Sequence, residues 1–330
     1  MYVALLAATL LVGCLLAVQT SVNLQLSAAV KTPYGASTVQ LSAATVALAV
    51  IAFAVGSIGA VSLVTEAPWW YLLGGLASPL YITSGILLFP RLGALAAVGL
   101  FVTGQVLASL GLDLFGLIGV PRKPLTVGIA LGVLAVLVGI TLVIRQRPVT
   151  SASAPASDAG KRRAGKSLGA AAITPTRSLG NVGWVVLGVI AGAVLPIQGA
   201  VNAKLRSVLE APLAVAMFSF IVATVTIAIV LVILLAIKRT PMPQFKPLAK
   251  MPGWGWLGGL CAAIYVTATF LLIPEIGAAT TVALTVTGQQ LFSAVIDNYG
   301  LFRMPKRALS SRRIAGLALL VAGSVLVQLT

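Results

Sequence analysis

The sequence predicts an all-α membrane protein with ten transmembrane helices, arranged as two inverted five-helix repeats. The first observation is composition: 59% of the 330 residues are hydrophobic and only 8% are charged, which is more apolar than a soluble protein of this size requires. The second is a series of apolar segments of about 20 residues, the length that a helix needs to cross the hydrocarbon. The third is an internal duplication that relates the two halves of the chain.

The apolar segments form two groups, with five predicted helices in each. Tight hairpins at Pro90-Arg91 and at Pro274-Glu275 join the third helix to the fourth and the eighth to the ninth. Tryptophan favours the membrane–water interface, so the tryptophans at segment ends support these boundaries. The predicted spans are Leu5–Leu26, Ala36–Leu63, Trp69–Leu88, Leu92–Leu112, Leu125–Ile144, Trp184–Leu205, Pro212–Ile237, Trp254–Ile273, Ile276–Ile296 and Ile314–Leu329.

Residues 145–180, between the two groups, are rich in Ser, Ala, Pro, Lys and Arg and show no periodicity. This composition predicts a flexible basic linker between a first repeat at residues 1–144 and a second at residues 181–330. The stretch Gly160–Ser167 within the linker fits the P-loop pattern. Because no β-strand precedes it, we do not expect it to bind ATP.

Most Lys and Arg residues fall on one predicted side of the membrane. That side collects 18 of them, whereas the other holds only Arg122, Lys123, Lys204 and Arg206. Cytoplasmic loops carry the excess of positive charge, so we expect a cytoplasmic linker and both termini outside. The same distribution explains the net charge of +16 without a nucleic-acid partner.

The two halves align along their length, with matching residues in the same order. The offset is 179 residues through the second helix and 184 residues after it. Each half has an odd number of spans, so matched helices should enter the membrane from opposite sides, an arrangement typical of secondary transporters. The matched pairs include Gln19 with Gln198, Asn23 with Asn202, Tyr81 with Tyr265, Thr103 with Thr287, Gln105 with Gln289, and Asp113 with Asp297.

These motifs resemble those of the YdcZ-like family within the drug/metabolite transporter superfamily. The family pattern has Q-x-x-x-N in the first helix, P-x-x-G-A before the fourth, then G-Q and a D-x-x-G turn, and both halves match it. Many members are single five-helix units, and this chain is similar to two of them fused. The resemblance implies a bacterial inner-membrane transporter of small molecules, working as an exporter. Unlike the small multidrug-resistance relatives, neither repeat has an acidic residue in its first helix.

A pair of amides recurs in the first helix of each repeat. Unpaired amides are costly in hydrocarbon, so Gln19, Asn23, Gln198 and Asn202 should face inward. There they either hold helices together or line the path of an uncharged or zwitterionic solute. The sequence leaves both interpretations open.

A second set of polar residues lies midway along the fourth and ninth spans. Either these residues contact the solute or their helices pack closely through small residues. The two tyrosines of the third and eighth spans either stack on a ligand or bond across the interface. The residues concerned are Thr103, Gln105, Thr287, Gln289 and Gln290, with Tyr81 and Tyr265.

Asp113 and Asp297 stand at the ends of their helices, where the helix dipole disfavours a carboxylate. One interpretation is that each caps its own D-x-x-G turn through backbone N–H groups. The sharper alternative is a gating salt bridge or a proton-coupling site.

The residues together predict a transporter of a small solute that works by alternating access. The chain has no histidine and no nucleophile–base pair, so we expect no enzyme activity, metal or cofactor. The expected partners are the solute and membrane lipids; a monomer would suffice and a dimer is left open. The alternatives are a passive channel and a membrane scaffold or lipid-handling protein.

Overall fold

The computed structural model describes residues 2–119, 122, 124–144, 179–276 and 278–329. Within these ranges the chain forms ten α-helices and no β-strand. The helices are α1 (Tyr2–Val30), α2 (Pro33–Ala54), α3 (Ala77–Leu92), α4 (Ala94–Phe115), α5 (Val127–Ile144), α6 (Leu179–Leu209), α7 (Pro212–Ala236), α8 (Leu257–Ile276), α9 (Ala278–Tyr299) and α10 (Ser311–Leu329). The predicted linker, with its P-loop-like stretch, lies outside the described residues apart from its last two.

The fold class is confirmed as an all-α membrane protein. Seven of the described helices are long and apolar enough to cross a membrane, namely α1, α2, α4, α5, α6, α7 and the segment Trp69–Leu92 that contains α3. The count of ten spans stays a prediction.

The second predicted span is longer than the helix that forms there. α2 ends at Ala54, and Gly56 takes φ 76°, a left-handed conformation that ends a helix and that glycine adopts without strain. The chain then continues as a 3₁₀-helix, Ser57–Glu66, with no buried residue. The predicted span Ala36–Leu63 was too long because it was based on apolar composition, which does not indicate the turn at Gly56.

The third and eighth predicted spans begin as short 3₁₀-helices, Trp69–Leu76 and Gly253–Trp256, before α3 and α8. Glycines let these segments approach the first helix of the opposite repeat. A Cβ atom at Gly74 would collide with Oδ1 of Asn202, and one at the matched Gly258 would collide with Oδ1 of Asn23. The same close approach therefore occurs in both halves.

The last helices of the two repeats, α5 and α10, pack antiparallel, as an inverted repeat predicts. Along α5 and α10, Gly132 faces Gly323 and Gly139 faces Gly316, in the close contact that small residues permit. Between α2 and α7, the hydroxyls of Thr45 and its counterpart Thr224 are 2.9 Å apart. Because these threonines are matched positions, their hydrogen bond lies on the pseudo-two-fold axis.

The two repeats are interlocked rather than side by side. α1 packs against α8 and α9 of the second repeat, while its counterpart α6 packs against α3 and α4 of the first. A Cβ atom at Gly13 would collide with the backbone of Thr285, and one at the matched Gly192 with the backbone of Phe101. Each first helix therefore belongs to the core of the other repeat.

Candidate functional site

A cavity of about 810 Å³ lies between the two repeats. It extends from amides in the middle of α1, α4 and α6 to one end of the bundle, where Asp113, Lys204 and Gly119 line it. We call this the open end. The interlocked helices position the cavity, because α1 and α6 turn their polar faces toward the other repeat.

The predicted pair Gln19 and Gln198 lines the cavity from both repeats. Both side chains are buried, with 3% and 7% of their surface exposed. The Gln198 amide donates hydrogen bonds to the hydroxyls of Ser78 at 3.0 Å and Ser219 at 3.3 Å. The Oε1 atom of Gln19 is buried and has no hydrogen-bond partner among the described residues. Gln198 therefore joins helices and also faces the cavity, and its contact with a solute stays a prediction.

The two matched asparagines have different surroundings. Asn202 lines the cavity and donates to Ser219 at 3.2 Å, while its buried Oδ1 has no partner in the described part of the chain. Asn23 does not line the cavity and donates to Oε1 of Gln40 at 2.5 Å. Asn202 is therefore a candidate solute contact, whereas Asn23 joins α1 to α2.

The matched glutamines of α4 and α9 also differ. Gln105 lines the cavity, and its buried Nε2 finds no partner among the residues described. Gln289 is fully buried away from the cavity and donates to the hydroxyl of Tyr81 at 2.7 Å. Tyr81 and Tyr265 both line the cavity.

Three further candidates from the sequence lie outside the cavity lining. The hydroxyls of Thr103 and Thr287 donate to carbonyls one turn earlier in their own helices, Gly99 at 2.8 Å and Ala283 at 2.7 Å. Gln290 is fully buried, and neither polar atom of its amide has a partner within the described residues. None of the three faces the cavity in this conformation, and their predicted solute contact stays a prediction.

Asp297 lies at the opposite end of the bundle, fully buried. Its carboxylate does not cap its own turn; it accepts hydrogen bonds from the backbone N–H of Ala94 at 2.8 Å and Leu95 at 3.2 Å, and it pairs with Arg313. The N-terminus of α4 favours a negative charge, so these contacts offset the cost of burial. The sharper alternative, a salt bridge, therefore describes the geometry of Asp297.

Arg307 extends this cluster to the hairpin between α3 and α4. Its guanidinium donates to the carbonyl of Leu92 at 2.8 Å and to that of Pro90 at 3.4 Å. Burial lowers the pKa of Arg307, the nearby carboxylate of Asp297 opposes this shift, and repulsion from Arg313 adds to it. We call the end that holds Asp297, Arg307 and Arg313 the closed end.

A glycine in the hairpin between α3 and α4 leaves space for the side chains of this cluster. Gly93 takes φ 86°, and a Cβ atom there would lie 3.0 Å from Oδ2 of Asp297 and 2.8 Å from Cδ of Arg307. The P-x-x-G-A motif thus provides a hairpin through which the carboxylate reaches the start of α4.

Matched positions at the two ends have different exposure. Ser109 and Asp113 are partly exposed in the cavity, whereas their counterparts Ser293 and Asp297 are fully buried. At the closed end, the Gln25 amide also donates to the carbonyl of Phe302 at 3.0 Å. The two repeats therefore differ in conformation although their motifs match.

Sequence reasoning missed several residues of the site. Ser219 accepts hydrogen bonds from both Gln198 and Asn202. Its matched residue is Gln40, which accepts a hydrogen bond from Asn23, and this polar match between the repeats could have indicated Ser219. Arg307 and Arg313 are among the 18 basic residues that the sequence analysis uses only to predict orientation. The basic stretch after the D-x-x-G turn gave no sign of which arginine would reach the aspartate.

Comparisons with known proteins agree with this architecture. The model of a protein family described as "Putative inner membrane exporter, YdcZ" matches the chain twice, over residues 4–142 and 183–326. The Inner membrane protein YdcZ of Escherichia coli (strain K12) is 30% identical over 99 residues, which are 30% of this chain and 66% of that protein, just under two thirds of its length. A solved structure described as "Crystal structure of protein" has a TM-score of 0.55 and 16% identity, covering 97% of this chain and 96% of that one. At this identity the likeness concerns the fold alone.

Proposed function

This chain belongs to the YdcZ family as two fused repeats, and from that premise we propose that it exports a small solute by alternating access. The proposal is supported by the matched family's description as an inner-membrane exporter and by the apolar helices of this chain. The observation that carries the proposal is the contrast between the two ends of one pseudo-symmetric bundle. A cavity reaches the amides from the open end, while the matched residues of the closed end are fully buried.

This contrast is what alternating access requires. Inverted repeats in two different conformations can exchange them, which opens one end of a transporter as the other closes. In the exchanged state, Asp113 would take the place of Asp297 and approach the start of α9. Asn23, Gln289 and Ser293 would then line a cavity that opens at the other end.

We further propose that the cavity opens to the outside in this conformation. With the linker in the cytoplasm and both termini outside, the end bearing Arg122, Lys204 and Arg206 faces outward. Reporter tags at Thr330 and near Ser153 should then report opposite compartments. If both tags report the same compartment, the proposed orientation and the span count are wrong.

Transport is tested by efflux of a panel of radiolabelled small solutes from proteoliposomes. Saturable flux that is lost in the variant Gln198→Ala with Asn202→Ala, while that variant still purifies as a monodisperse protein, supports the proposal. The matched control is Thr287→Val, since Thr287 bonds only its own helix. Flux that does not saturate would indicate a passive channel, and absence of flux across the panel would favour a scaffold or lipid-handling protein.

A further inference from the structure

We infer that the transported solute is an uncharged molecule that carries hydrogen-bonding groups, such as amides or hydroxyls, on an apolar frame. This inference rests on the proposed function and names the class of solute for the same cavity. It follows from where the cavity places its charges, its unpartnered amide atoms and its apolar walls.

The charged residues that line the cavity are confined to its mouth within the described chain. They are Asp113, Lys204 and Arg206. Asp113 lies eight residues beyond Gln105 on α4, which corresponds to about 12 Å along the helix. The Lys204 ammonium reaches the backbone of Gly119, beyond the end of α4. Arg206 likewise lies eight residues beyond Gln198 on α6. An ionised solute beside Gln19, Gln105 and Gln198 would therefore lack an opposite charge in a low-dielectric site, which costs several kcal/mol per ion.

The inner part of the cavity offers hydrogen-bonding capacity of both kinds. Gln19, Gln105 and Asn202 line it and are each more than nine-tenths buried. Each retains one buried amide atom without a partner in the described part of the chain. A buried polar atom left unpaired costs about 1–3 kcal/mol. A bound solute that reorients these side chains and supplies donors and acceptors would recover that free energy.

The remaining walls favour an apolar frame of moderate size. Leucine, isoleucine, valine and phenylalanine side chains separate the amides, including Leu16, Ile82, Leu195 and Phe220. A volume of about 810 Å³ falls within the range of ligand pockets, about 300–1,000 Å³. Burial of an apolar frame against these walls would contribute about 25 cal/mol per Å².

Matched trios of probes test the class directly. One trio is N-acetylphenylalaninamide, which is neutral, phenylalaninamide, which is cationic at mildly acidic pH, and N-acetylphenylalanine, which is anionic. Equivalent trios on leucine and tryptophan frames vary the apolar part. Binding to the purified full-length protein is measured by thermal shift, since a ligand of the native state stabilises it by RT ln(1 + [L]/Kd). The neutral member of at least one trio should bind, with its charged partners at least about 100-fold weaker.

A charge placed among the amides should change this preference. Gln105→Glu adds a carboxylate of the same shape, so affinity should move from the neutral to the cationic member by about 10-fold or more. Gln244→Glu, at an exposed position outside the cavity, is the matched control and should leave the ranking unchanged. Gln19→Glu, on a different helix, replaces Gln105→Glu if that variant does not fold.

Three results would overturn the inference: a charged member binding the native protein as tightly as its neutral partner, no neutral member binding in any trio, or an unchanged ranking in the folded glutamate variant. Failure of the solute class is distinguishable from failure of the proposed function. Saturable efflux of a charged probe would leave alternating access standing and overturn the class. A neutral probe that binds at Gln105 but is never transported would contradict the transporter and leave the class standing.

Discussion

Replacement of Asp297 by asparagine should open the closed end of the bundle. In the present conformation, the Asp297 carboxylate accepts two backbone hydrogen bonds from the start of α4 and pairs with Arg313. Asparagine can keep the bond from Ala94, but its amide nitrogen cannot accept a bond from Leu95 or from Arg313. Arg313 would keep only its bonds to the carbonyls of Arg307 at 2.7 Å and Ala308 at 3.2 Å.

The magnitude follows from burial at the two partners. Asp297 is 0% exposed and Arg313 is 6% exposed, so removal of one charge leaves the other in a dry environment. Breaking a buried pair in this way costs about 3–5 kcal/mol, whereas a solvated pair is worth about 0–1 kcal/mol. The pair becomes solvated when this end opens, so most of the cost falls on the present state. The difference of about 2–5 kcal/mol should therefore shift the equilibrium by roughly 30- to 4,000-fold toward the exchanged state.

Maleimide labelling of single cysteines measures this shift. The background removes Cys14 and Cys261, and the reporters are Ser293→Cys at the closed end and Ser109→Cys at the open end. Asp297→Asn should raise the labelling rate at position 293 at least 10-fold and lower it at position 109. Glu66→Gln, at an exposed carboxylate, serves as the charge-matched control. Unchanged labelling at position 293, in protein that remains folded, would refute the reasoning.

Two further predictions concern helix contacts. Gly104→Ala should lower the melting temperature, because its Cβ would collide with the backbone of α6 at Val189 and Ala193 at a cost of about 1–3 kcal/mol. The control Gly111→Ala, where no atom lies within 4 Å of the added Cβ, should not lower the melting temperature. A rise in the melting temperature of both variants would contradict the close approach of α4 and α6. Thr45→Val and Thr224→Val should couple in a double-mutant cycle by about 0.6–1.7 kcal/mol, since each removes the same hydrogen bond; strictly additive unfolding free energies would show that this bond contributes nothing.

Much of the fold could be predicted because the constraints on a membrane chain are strong. Inward-facing amides at Gln19 and Gln198 follow from the cost of leaving them in lipid, and the structure has both in the cavity. The inverted repeat follows from matched motifs and an odd number of spans in each half. The end of α2 did not follow, because it depends on the left-handed turn at Gly56 within a continuous apolar run.

The candidate site was harder to predict because residues that match in the two repeats have different surroundings in the structure. Gln105 and Gln289 are equivalent by motif, yet one lines the cavity and the other bonds Tyr81. Asp113 and Asp297 are also equivalent by motif, yet Asp113 lines the cavity and Asp297 is fully buried. Sequence alone could identify these pairs. Which member of each pair lines the cavity and which is buried depends on tertiary contacts that differ between the halves, such as the pairing of Asp297 with Arg313.

The interlocked arrangement has a consequence for synthesis of the protein. As the ribosome delivers the first five helices, α1 enters the bilayer before its partners α8 and α9 exist, so Gly13 and its neighbours on α1 initially face lipid. Residues 1–144 expressed without the rest should therefore be removed by membrane proteases, and co-synthesis of residues 181–330 should rescue them. Half-length products should then be cleared, so that surviving molecules contain both repeats.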